Sequence, residues 1–101
     1  MESVYDKPEE HGLKQIGCLD EADMSYEFNM LCVWQHKDGR IFYEQDSGCS
    51  CPSPFEDNTC LESLTEVKHG ESFDAFVSTV NSFPAEASEK QGLIDAVKVL
   101  L

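Results

Sequence analysis

Basic residues are scarce in this sequence: seven Lys and Arg stand against 20 Asp and Glu, giving a formal net charge of −13 over 101 residues. Neutralising phosphate requires Lys and Arg, so this balance argues against a direct grip on nucleic acid or on an anionic lipid surface. Long apolar runs are also missing, and no stretch approaches the ~20 residues that span a bilayer. The opening segment MESVYDKPEEHG lacks the basic and apolar regions of an export signal, so a cytosolic setting is expected. There is no internal repeat and no low-complexity linker. These absences leave a protein as the expected partner, or no partner at all.

What is present suffices for one folded domain. The hydrophobic fraction is 41% and ten aromatic residues supply large buried areas, so the chain can build a core without disulfides. Residues 1–12, polar and containing Pro8 and Gly12, read as an arm, and residues 13–101 as a single α+β domain. The five cysteines, Cys18, Cys32, Cys49, Cys51 and Cys60, are odd in number and lack an export signal, so reduced thiols are expected.

The hydrophobic pattern changes period along the chain. Leu13 to Leu19 reads as a strand, closed by the acidic turn Asp20-Glu21-Ala22-Asp23. From Tyr26, alternation places Tyr26, Phe28, Met30, Cys32 and Trp34 on one face and Glu27, Asn29 and Gln35 on the other. Leu31 and Val33 interrupt that polar face, so part of it must be covered too. Asp38-Gly39 suits a two-residue hairpin turn, which puts Trp34 opposite Tyr43 and Cys32 opposite Gln45 as Ile41 to Asp46 returns. Thr59 and Glu62 fit a capping box, predicting a short helix over about residues 60–69 with Leu61, Leu64 and Val67 inward. Phe73, Phe76, Val77, Val80 and Phe83 form one helical stripe that Pro84 ends, and Ser88 and Gln91 suggest the cap of a last helix. The expected architecture is a small antiparallel β-meander of about three strands with a central hairpin, packed by two to three C-terminal helices.

The stretch Asp46-Ser47-Gly48-Cys49-Ser50-Cys51-Pro52-Ser53-Pro54-Phe55-Glu56-Asp57 invites a chemical reading. Structural zinc wants two pairs of thiolates at short spacing, whereas Cys49-x-Cys51 stands alone, with Cys60 nine residues later and His69 nine beyond that. Folding could still gather Cys49, Cys51, Cys60 and one of His11, His36 or His69, so a thiolate metal module stays as an alternative. Nucleophilic catalysis would need a thiol beside a base, and no signature places His36 or His69 near Cys49 or Cys51. No enzyme and no cofactor are therefore expected. The mechanical reading is better supported: Pro52 and Pro54 fix φ, Gly48 relaxes it, and Phe55 anchors a stiff bend. A preorganised segment loses little freedom on binding. Asp46, Ser47, Pro52, Pro54, Phe55, Glu56 and Asp57 are accordingly the protein-contact candidates.

Acids crowd around this bend, with Asp20, Glu21, Asp23 and Glu27 before it and Glu44, Asp46, Glu56, Asp57, Glu62 and Glu66 in and about it. A solubilising surface is the plain account, and a DNA-mimicking inhibitor of a nucleic-acid-binding protein is the functional alternative. The run Trp34-x-x-x-Asp38-Gly39-Arg40-x-x-Tyr43, followed by Asp46-Ser47-Gly48-Cys49-Ser50-Cys51-Pro52-x-Pro54-Phe55-Glu56, resembles the central motif of a family of small uncharacterised proteins encoded by actinobacterial phages, mycobacteriophages among them. The resemblance covers about residues 26–67. It implies expression in the host cytoplasm, an accessory nonstructural role and a host protein as partner, and it carries over no catalytic residue.

Overall fold

The computed structural model describes residues 7–20, 27–49 and 63–101, the side chains of residues 27, 28 and 47–49 excepted. Four antiparallel strands, β1 (Leu13–Asp20), β2 (Glu27–His36), β3 (Ile41–Cys49) and β4 (Thr65–Val67), pair in the order β1-β2-β3-β4. Two helices follow, α1 (Glu71–Ser82) and α2 (Ala87–Leu100). The class is α+β, as the change of hydrophobic period implies, with one strand more than the expected meander.

The strands of the central pair are hydrophobic on both faces, and each face has its own core. Leu31, Val33, Ile41 and Val67 meet Phe76, Val80 and Phe83 of the α1 region and Leu93, Ile94 and Val97 of α2. The helices thus cover the face that Leu31 and Val33 had made too apolar for water. On the opposite face Leu13, Met30, Cys32, Trp34, Phe42 and Leu64 form a second buried cluster. Burying a side chain such as Phe76, fully enclosed here, contributes about 2 kcal/mol by area, so the α1 stripe favours its docking on the sheet.

The hairpin register differs from the expected one by a single residue. Trp34 faces Phe42, Cys32 faces Glu44, and Val33 faces Tyr43. The connection is not the two-residue Asp38-Gly39 turn but three residues, Lys37-Asp38-Gly39: His36 N donates to Arg40 O (2.7 Å) and Gly39 N to His36 O (2.8 Å). Gly39 closes it at φ 100°, a conformation that L side chains resist. Adding one residue to the loop exchanges the faces of Phe42 and Tyr43. Tyr43 consequently turns toward the helices, its ring edge-on to Phe76 at 5.0 Å.

Three further expectations are corrected. β3 continues past Asp46 to Cys49, so Ser47, Gly48 and Cys49 belong to the ladder, opposite Asn29, Phe28 and Glu27. The helix expected over residues 60–69 is not formed in its described part, because Ile41, Phe42 and Tyr43 offer an edge that Val67, Glu66 and Thr65 pair with as β4. Leu64 and Val67 are both buried, but as strand neighbours three apart they serve opposite faces of the sheet. Finally, α2 begins at Ala87 with Glu86 as its N-cap and no side-chain cap bond, so Ser88 lies inside the first turn. Pro84 leaves Phe83 extended at the end of α1, and Lys90 Nζ donates to Asn81 O and Phe83 O, neutralising the carbonyl end of α1 while joining it to α2.

Candidate functional site

The contact candidates divide at the end of β3. Asp46 sits in the strand opposite Met30 with a half-buried side chain, and Ser47 is paired opposite Asn29. Next to them Gln45 Nε2 donates to Asn29 Oδ1 at 3.2 Å, an exposed bond that ties β3 to β2. Pro52, Pro54, Phe55, Glu56 and Asp57 lie outside the described residues, as do Cys51 and Cys60. The segment that carries them leaves a strand that is held against β2 as far as the Glu27–Cys49 pair.

Of the candidate metal ligands, His69 is exposed just beyond β4, with Nε2 3.0 Å from Leu101 O. Cys49 ends β3 at the other end of that strand from Ile41, whose partner Val67 lies two residues from His69. The ladder therefore separates His69 from Cys49 by the length of β3. Among the described residues no three His, Cys, Asp or Glu side chains converge as metal ligands.

The thiol expectation is overturned at Cys18 and Cys32, which are joined by a disulfide. The reason is register: pairing of β1 with β2 sets Cys18 opposite Cys32 with Cα atoms 4.0 Å apart, the close spacing of a cross-strand pair without backbone hydrogen bonds. A separation of 14 residues gives no hint of this, since the contact depends on which strand is neighbour to which. Had the β1–β2 register been derived, the pair would have been legible.

Most of the basic residues gather at one end of the sheet, among acids that include Glu9 and Asp38, a second feature the linear pattern hides. Lys14 at the start of β1, Lys37 and Arg40 at the β2–β3 turn, and Lys68 after β4 all occupy the end of the sheet where Leu13 pairs with His36 and Ile41 with Val67. Lys7 joins them, because it caps a short 3-10 helix, Pro8–His11, that leads into Gly12, whose carbonyl accepts from Lys37 N at 2.8 Å. Of the seven Lys and Arg, the other two, Lys90 and Lys98, are carried by α2. His11, His36 and His69 are at the same end. A shallow cleft of about 450 Å³ opens there between Gly12, Lys14, His36 and Lys37. Gly12 has φ 71°, and a methyl group on it would come 3.0 Å from His36 Nε2, so a side chain at this position is strained.

The turn above this cleft is organised by Asp38. Its carboxylate accepts from Arg40 N at 3.0 Å and from Arg40 Nε at 2.8 Å, and lies 3.0 Å from His36 Nδ1. The Arg40 backbone amide, with the guanidinium and His36 in support, holds the carboxyl down to about 2. Arg40 in turn lies over the Phe42 ring, 5.3 Å from its centroid. These contacts fix the turn; they hold no nucleophile.

A family model described as Domain of unknown function (DUF7574) matches residues 2–99, and the chain belongs to that family. No curated protein and no solved structure matches it. The family match spans the arm, the sheet and both helices together.

Proposed function

We propose that this member of a family of unknown function is a phage-encoded accessory protein that acts in the host cytoplasm by binding a host protein, with residues 46–57 as the contact surface. The observation that supports this reading is the extent of β3. Its ladder with β2 runs to Cys49, so the Cys-Pro-Ser-Pro-Phe segment departs from a fixed strand. Loops mounted on a rigid sheet are the usual carriers of recognition. Pro52 and Pro54 reduce the freedom that binding would otherwise remove. The phage setting rests on the Asp-Ser-Gly-Cys-Ser-Cys-Pro-x-Pro-Phe-Glu motif at residues 46–56.

The test compares the immobilised chain with its Pro52→Ala/Phe55→Ala variant in an actinobacterial lysate. A protein retained by the first and reduced at least tenfold on the second, with both giving the same circular dichroism spectrum and melting midpoint, is the expected result. Equal retention by both would remove residues 46–57 from the interface, and no retained protein would remove the binding role.

A further inference from the structure

We infer that the Cys18–Cys32 bond is a thiol-exchange site that locks the edge strand β1 to the sheet, and that a dithiol reductant attacking at Cys18 unlocks it. This goes beyond the proposed binding role and stands without it. Three observations carry it. The two cysteines are direct partners across β1 and β2, so their bond ties one strand to the next and not one loop to another. β1 is an outer strand of the sheet, with only β2 beside it among the described strands. The bond also sits beside an irregularity: the β1–β2 register shifts between Gln15 and Gly17, immediately before Cys18.

The two sulfurs differ in access. Cys32 is fully enclosed on the central strand, whereas Cys18 is half-exposed at the sheet's edge. Thiolate attack on a disulfide proceeds in line, from the side opposite the departing sulfur. An attacker from solvent therefore reaches Cys18 from beyond β1, and Cys32 leaves toward β2. The same attack on Cys32 would have to come along that face from the β3 side, where Cys32 is fully enclosed. In the first step a sulfur–sulfur bond forms between the reductant and Cys18, the Cys18–Cys32 bond breaks, and Cys32 departs as a thiolate that takes a proton from water. The reductant's second thiolate then attacks its own bonded sulfur and releases Cys18. Two electrons pass from the dithiol to the cysteine pair, and the reductant ends as a disulfide.

Opening has a structural consequence because two free thiols require van der Waals separation. At a pair of backbones this close, that separation comes from displacing β1 or rotating Cys18 outward, and the neighbouring register shift already weakens the ladder. A dithiol reductant thus opens the pair, and an oxidising shift closes it.

The full chain purified without reductant tests this directly. Non-reducing peptide mapping is expected to find Cys18 linked to Cys32. Brief exposure to glutathione should give the mixed disulfide on Cys18 at least tenfold more often than on Cys32, the two being separable by cleavage after Glu21 or Glu27. Reduction with dithiothreitol should then speed amide exchange over residues 17–20 at least tenfold while residues 76–80 of α1 keep their protection. The Cys18→Ser/Cys32→Ser variant should exchange like the reduced chain and show no response to dithiothreitol, which assigns the effect to this pair and not to Cys49, Cys51 or Cys60. If that variant fails to fold, reduction of the natural chain supplies the same comparison. An unlinked pair, a mixed disulfide carried equally by Cys32, or unchanged exchange over residues 17–20 on reduction would each overturn the inference.

Discussion

Asp38 is exposed, yet its carboxylate accepts from both the backbone and the side chain of Arg40 and thereby closes the connection between β2 and β3. Its folded pKa, about 2, lies below the ordinary 3.8, so the unfolded chain takes up the proton first as pH falls. The stabilisation from this carboxylate is complete above 3.8 and is lost as pH descends through about 2. Carbon-detected titration of the side chain should place its midpoint near that lower value. In Arg40→Gln the midpoint should rise only part of the way, since the largest contribution comes from the Arg40 amide, which the substitution keeps. A rise to the full ordinary value would assign the effect to the guanidinium instead. Little at this scale was legible beforehand. Asp38-Gly39 announced a turn, but whether Asp38 occupies a central or a flanking place in it depends on the loop length, which dipeptide preference does not fix.

At the scale of elements, the central register decides which core each aromatic joins. With Lys37 in the loop, Phe42 joins Trp34 on one face and Tyr43 reaches Phe76 on the other. Removing Lys37 leaves a two-residue Asp38-Gly39 connection between the same His36 and Arg40, so Phe42 stays with Trp34 and Tyr43 stays on the helix face. Deletion of Lys37 is therefore expected to stay within about 1 kcal/mol in urea denaturation, whereas a cost of about 2–4 kcal/mol, the loss of a packed aromatic from a core, would show that the strands had exchanged faces. Lys37→Ala, with the loop length kept, should stay within about 0.5 kcal/mol. A large loss from Lys37→Ala instead would show that the side chain, not the loop, sets the pairing. β2 and α1 were readable because each repeats one period over several turns or alternations. β4 was not, being three residues long and preceded by a capping pattern at Thr59 and Glu62. Its strand character comes from the edge that β3 offers, a tertiary cause with no local signature. The contact candidates beyond Cys49 rest on the chemistry of the segment itself, and of the contact candidates Asp46 and Ser47 have a place in the described ladder.

For the molecule as a whole, the decisive quantity is the imbalance of 20 acids and seven bases. Five of those bases gather at the β2–β3 turn end, where Asp38 and Arg40 pair, so acids elsewhere on the chain have few cationic neighbours. Asp20, which closes β1, and Asp46, near the end of β3, lie toward the opposite end of the sheet. The compact state concentrates this charge and is opposed by its own repulsion, whereas the unfolded chain spreads it out. Screening relieves the folded state more. Raising sodium chloride from 10 mM to 100 mM shortens the Debye length from roughly 30 to 10 Å, which reaches below the dimensions of a domain this size. If the relief is about 1 kcal/mol, the melting midpoint should climb by about 4–8 °C, read by circular dichroism at pH 7 with the Cys18–Cys32 bond held oxidised. Lowering the pH toward the isoelectric value of about 4.3 should shrink that salt response, because the net charge that drives it disappears. A midpoint that stayed level or fell with salt at pH 7 would mean that local pairings, such as Asp38 with Arg40, outweigh the net repulsion. The charges would then be arranged for attraction within the fold, and not left as an uncompensated field around it.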